Sequence, residues 1–132
     1  MATPAVSSMA AALFVALGGA TGSVARYFLG RSLTSVMGEG SYPWAILGIN
    51  TLGSLAMGLV FGWFASHGGG TETQRLLFAV GLLGGFTTFS AFSLEIILMI
   101  QRGALGMAAL FIAASVIAGV AALYLGLVVM KD

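Results

Sequence analysis

The sequence predicts an all-α integral membrane protein with four transmembrane helices, and three observations carry that prediction. Of 132 residues, 59% are hydrophobic and only 7% charged, where a soluble domain has roughly 25% charged and about 45–50% apolar residues. Mean hydropathy is +1.07. The apolar residues also fall in four continuous runs. Each supplies the roughly 20 residues a spanning helix needs, and none shows the sustained alternation of a bilayer strand. Five scattered cations, Arg26, Arg31, Arg75, Arg102 and Lys131, leave a net charge of +1. No basic patch for nucleic acid can be built from them. With no cysteine and the single histidine His67, disulfides, thiolate sites and a multi-histidine metal site within one chain are excluded.

The expected spans are 9–30, 43–66, 74–101 and 104–130, making one transmembrane domain across 1–132. The first run lacks a cationic leader, and Gly18, Gly19, Gly22 and Arg26 interrupt its apolar part. It reads as a retained span rather than a signal peptide. Short connections at 31–42, 67–73 and 102–103 leave nothing for a soluble domain. Arg75, Lys131 and the amino terminus fall on one side of the membrane, and Arg31, Arg102 and a snorkelling Arg26 on the other. Topology follows the lysine and arginine bias between sides. A near-even count means either a weak preference for one side or dual topology, and dual topology leads to an antiparallel dimer. Four helices leave little room for an aqueous path between them, so a subunit interface is the easier place to build one. The pairs Gly18/Gly22, Gly58/Gly62 and Gly81/Gly85 have the spacing that lets helix backbones approach closely.

Nothing resembles a catalytic constellation. His67 lies in a polar loop beside Gly68-Gly69-Gly70, which lacks the Lys-Ser/Thr of a phosphate loop. Glu39 and Glu72 are loop residues, and only Glu95 lies inside a span. The chain is therefore not expected to be an enzyme. Polar groups inside spans are expensive and mark function, and the third span holds most of them. Gly84-Gly85 followed by Thr87-Thr88 predicts a helix broken near its middle, exposing carbonyls at membrane depth. The other reading is an unbroken helix with small residues at an interface. Beyond this point Thr87, Ser90 and Ser93 form a hydroxyl stripe, with Phe86, Phe89 and Phe92 beside it. Hydroxyl donors and positive ring edges together suit a path for a small anion. Asn50 lies near the apolar centre of the second span, as a donor to such a path or as a helix–helix hydrogen bond. The fourth span offers Ser115, a lone serine of the kind that often bonds back to its own helix, and Tyr124 as an interfacial aromatic. Arg26 either snorkels or draws anions into a vestibule. Glu95 bonds within the bundle, pairs with a cation or carries protons.

Three segments together resemble the Fluc (CrcB) family of microbial fluoride channels. They are Gly18-Gly-x-x-Gly-x-x-x-Arg26-Tyr27, Gly-x-Asn50-Thr-x-Gly-Ser54 and Gly84-Gly-Phe-Thr-Thr-Phe-Ser-x-Phe-Ser-x-Glu95. The resemblance implies a passive fluoride channel conferring fluoride resistance in the bacterial inner membrane. It also implies an antiparallel dual-topology homodimer with two pores and a structural sodium ion at its centre. In this chain the sodium ligands would be the main-chain carbonyls of Gly84 and Thr87. Phe89 and Phe92 would be the pore aromatics, Thr88, Ser90 and Ser93 the polar track, and Glu95 its end. Asn50 would be the pore asparagine, Arg26 the vestibule arginine and Ser115 a fourth-helix hydroxyl. A further hydroxyl and a tyrosine implied on the fourth helix would fall at Gly119 and Phe111. Two other readings predict different behaviour. A small dual-topology multidrug/proton antiporter wants a carboxylate in the first span, where this chain has only Arg26. An assembly subunit would carry no ions and would tolerate isoleucine at Phe89 or Phe92.

Overall fold

The protein is described here by a computed structural model covering residues 5–131. Every regular element in it is a helix: α1 (Ser8–Met37), α2 (Tyr42–Ser66), α3 (72–86), α4 (Phe89–Gln101) and α5 (Leu105–Val129). α3 and α4 are the two parts of the third span, Glu72–Gln101, and four helices are long and apolar enough to cross a membrane. Local chemistry sets the ends. Ser7 Oγ accepts from Ala10 N–H to open α1, Pro43 sits in the first turn of α2, and Thr71 with Gln74 forms a capping box at α3. The apolar part of the first run ends near Gly30, yet α1 continues to Met37. Its last turns are polar but self-satisfied: Thr34 Oγ1 donates to the Gly30 carbonyl at 2.9 Å and Ser35 Oγ to the Ser32 carbonyl at 2.8 Å. Gly38, at φ 98°, then stops the helix. Within α3, Arg75–Leu83 winds as a π-helix, a wider turn that hydrophobic periodicity does not reveal.

The bundle is two tightly packed helix pairs, α1 with α3 and α2 with α5, and glycine makes both possible. A Cβ at Gly18 would strike the Leu77 carbonyl, and one at Gly22 the Leu82 carbonyl. On the other pair, a Cβ at Gly58 would strike the Leu123 carbonyl, and one at Gly62 would lie 2.7 Å from Met130 Cβ. Gly85 is pressed against Gly19 in the same way. All three spaced glycine pairs therefore sit at backbone-to-backbone contacts, the packing expected where lipid provides no hydrophobic drive between helices. A small core of Ile46, Met99, Ala108 and Phe111 fastens α4 to the second pair. Many other apolar side chains point outward, and only 6% of the most apolar window of α5 is buried. That outward surface suits lipid or another protein, not water.

Candidate functional site

The site is organised around two residues of the third span that leave helical geometry. Thr87 lies at φ −82°, ψ 155° and Thr88 at φ −144°, ψ 119°. Backbone groups at such a point need partners, because no water is available at membrane depth. In an uninterrupted helix Thr88 N–H would point to the Gly84 carbonyl. Here it donates to Asn50 Oδ1 at 2.8 Å, and Asn50 Nδ2 donates back to the Thr88 carbonyl at 3.0 Å. The Gly85 carbonyl accepts from Arg26 Nε at 3.2 Å and from Ser23 Oγ at 3.4 Å. Thr88 Oγ1 accepts from Ala91 N–H and so caps α4. Two side chains of α1 thus hold the backbone just before the extended pair, and one of α2 holds Thr88 within it.

Two cavities meet at Thr88. One, of about 440 Å³, is lined by Arg26, Arg31, Tyr27 and Tyr42 together with Thr88. A groove of about 360 Å³ lies on the other side of Thr88. Its walls include Asn50 on α2, Thr87, Phe89 and Phe92 around the extended pair, and Ser115 on α5. Five of the expected pathway residues, Asn50, Thr88, Phe89, Phe92 and Ser115, are therefore brought to one groove. Ser115 Oγ is buried with no hydrogen-bond partner among the described residues. Phe92 stands between Phe89 and Phe111, with ring centroids 5.7 and 5.3 Å away, and Phe111 meets Trp44 edge-on. Phe89 is 79% exposed on the protomer surface, whereas Phe111 is fully buried beneath Phe92.

Several sequence expectations take a different form here. Arg26 lies inside a longer helix than expected: α1 runs on for about three turns beyond it, and its half-buried guanidinium donates to the Gly85 carbonyl. The aromatic stripe is divided, because the extended pair separates Phe86 from the others. The Phe86 ring instead lies 3.1 Å from the Cβ position of Gly53. Nor is the hydroxyl stripe uniform. Thr87 Oγ1 donates to the Leu83 carbonyl and Ser93 Oγ to the Phe89 carbonyl, both at 2.9 Å, so their single protons are committed. Ser90 Oγ lies 3.4 Å from Thr88 Oγ1 on the exposed face. Glu95 is buried on the side of α4 that carries Met99, outside the walls of both cavities. Sequence reasoning gave no role to Ser23 or Ser54. Ser54 lines the groove, and its position one turn after Asn50 was the available signal. Among the described residues no group of three or more His, Asp or Glu side chains could hold a metal.

Four apolar spans carrying a groove of hydroxyls, an amide and aromatic rings define a small multi-pass membrane protein of the ion-transport class. Residues 13–127 match the family model described as CrcB-like protein, Camphor Resistance (CrcB), and the chain belongs to that family. A relative from Novosphingobium aromaticivorans is 53% identical over 124 residues, covering 93% of this chain and 98% of its own. One from Caulobacter vibrioides is 49% identical over 120 residues, 90% of this chain and 94% of the relative. One from Erythrobacter litoralis is 48% identical over 125 residues, 92% of each. All three are named fluoride-specific ion channel FluC. The family is one of channels, and the chain is not an enzyme.

Proposed function

We propose that this protein is a fluoride-selective passive channel that exports cytoplasmic fluoride across the bacterial inner membrane. The observation that carries the reading is the groove uniting Asn50, Thr88, Phe89, Phe92 and Ser115 beside the extended pair. An anion leaving water loses many hydrogen bonds, and only a path dense in donors compensates. Here hydroxyls and the positive edges of phenyl rings replace water. Selectivity would follow from closing this groove into a path narrow enough to strip and hold fluoride, where the larger chloride fits poorly. Hydrogen fluoride crosses membranes as the neutral acid and ionises inside. The membrane potential then drives the anion outward with about 2.3 kcal/mol per charge per 100 mV. Arg26 and Arg31 in the vestibule concentrate anions at the entrance.

The working unit is an antiparallel dual-topology homodimer with two pores. The exposed Phe89 ring and the groove's open side support this, since a second protomer would close the wall. The broken third helix supplies the cation site. Gly84 is exposed on the protomer, and Thr88 N–H is turned away from its carbonyl toward Asn50. Main-chain oxygens released in this way are hard donors suited to sodium, so Gly84 and Thr87 carbonyls would hold the ion. Its contribution is a fixed positive charge at the centre of the assembly. The track implied by the resemblance would run from Thr88 on to Ser90, Ser93 and Glu95, which lie outside the walls of both cavities in the single protomer.

The test is efflux from vesicles containing the purified protein, comparing fluoride with chloride under an imposed potential. Rapid fluoride efflux without chloride efflux and without a proton gradient is expected. No fluoride efflux from well-folded protein overturns the reading. A smaller effect is expected from Arg26→Gln. It removes a charge-assisted bond to Gly85, worth about 1.5–3 kcal/mol where desolvated, and empties the vestibule of one cation. Fluoride efflux should fall about tenfold, with Arg26→Lys recovering the charge but not the held geometry. Unchanged efflux in Arg26→Gln would remove Arg26 from both roles.

A further inference from the structure

The groove's proton donors can be counted, and most are already spent. Thr87 donates to Leu83, and Asn50 is engaged with the Thr88 backbone through both ends of its amide. Ser115 Oγ is buried and unpartnered on α5, and no donor facing it on α2 has yet been given a role. Thr51 Oγ1 is also buried without a partner among the described residues, but it does not line the groove. Ser54 does. It lies one turn beyond Asn50 on the same face of α2. A Cβ built on Gly119 would lie 3.6 Å from Ser54 Oγ and would meet no other atom within 4 Å. Gly119 is one turn beyond Ser115, so α5 has a notch where its next groove-facing side chain would stand. The Ser54 hydroxyl faces that notch from the opposite helix.

We propose that Ser54 is a selectivity-determining donor of the groove, its hydroxyl filling across the α2–α5 seam the place that Gly119 leaves empty after Ser115. This rests on the channel reading above and deepens it. A hydroxyl places one proton donor on a dehydrated anion, and fluoride, with its high charge density, gains more from that donor than chloride does.

The experiment compares four proteins in fluoride and chloride efflux from vesicles: the unaltered chain, Ser54→Ala, Ser54→Ala with Gly119→Ser, and Ser54→Ala with Gly119→Ala. Ser54→Ala removes one atom from a helix and favours helical structure, so its folding is expected to survive and is checked by elution as a single species. It should lower fluoride efflux about tenfold and narrow the preference over chloride. Gly119→Ser, returning a hydroxyl from α5 to the same place, should bring efflux back to within about threefold of the unaltered chain. Gly119→Ala, which fills the notch without a donor, should not. Ser54→Ala conducting within about twofold of the unaltered chain overturns the proposal, as does rescue by Gly119→Ala equal to that by Gly119→Ser. An unaltered chain that passes no fluoride overturns the channel reading itself, a result separable from failure of the Ser54 variants alone.

Discussion

Asn50→Asp should abolish fluoride transport, lowering efflux at least ~100-fold, the equivalent of about 2.7 kcal/mol. Two effects act in the same direction. The new oxygen replaces Nδ2, which donates to the Thr88 carbonyl at 3.0 Å. Two acceptors then face each other, and a buried group left unsatisfied costs about 1–3 kcal/mol, more when charged. The carboxylate also puts a negative charge in the wall of a groove meant for an anion. Asn50→Ala separates the two, losing both bonds to Thr88 without adding charge. Its efflux should lie between that of Asn50→Asp and the unaltered chain. Efflux measured alongside thermal unfolding is the check. An Asn50→Asp protein conducting normally would remove this residue from the pathway and the Thr88 clasp from the mechanism.

Gly22→Val should prevent folding altogether. A Cβ there would strike the Leu82 carbonyl and come within 2.8 Å of Phe86 N. Both obstacles are backbone, so α1 and α3 must move apart, and overpacking of this kind costs about 1–3 kcal/mol or more. The movement would also draw Arg26 away from the Gly85 carbonyl. Gly106→Ala is the contrast. Nothing lies within 4 Å of a Cβ there, so alanine should leave stability unchanged or raise it by up to about 1 kcal/mol through helix propensity. Solubilised protein assayed by size exclusion and thermal unfolding distinguishes the pair. A monodisperse Gly22→Val protein of normal stability would mean that the α1–α3 contact is not as close as described.

The four spans were legible because bilayer thickness imposes a length and an apolarity that composition alone reveals. Gly84-Gly85 and Thr87-Thr88 drew attention to the middle of the third span, where Gly84–Phe86 stays helical and extended dihedrals fall on Thr87 and Thr88. The hydroxyls were not legible as donors. A serine or threonine in a helix can turn its proton to a carbonyl of the preceding turn, as Thr87 and Ser93 do and the groove-lining Ser115 does not. That choice depends on rotamer and neighbours, not on spacing. Hydropathy ended the first span near Gly30, which left Arg26 close to its end. The polar final turns of α1 satisfy themselves and carry the helix on, which leaves Arg26 well inside it. The role of Gly119 required knowing what stands opposite, which no single helix records.

The two clasps on the extended pair bear on how the protein is made. Asn50 belongs to the second span and Arg26 to the first, so the third span does not itself contain either of the groups that hold it out of helical form. The segment Glu72–Gln101 is apolar enough to enter the bilayer as one helix. Its unpaired backbone groups would be too costly in lipid before those partners arrive. Insertion and shaping are therefore separate events in the life of the chain. The bent form of the third span therefore depends on side chains that α1 and α2 bring when they dock against it.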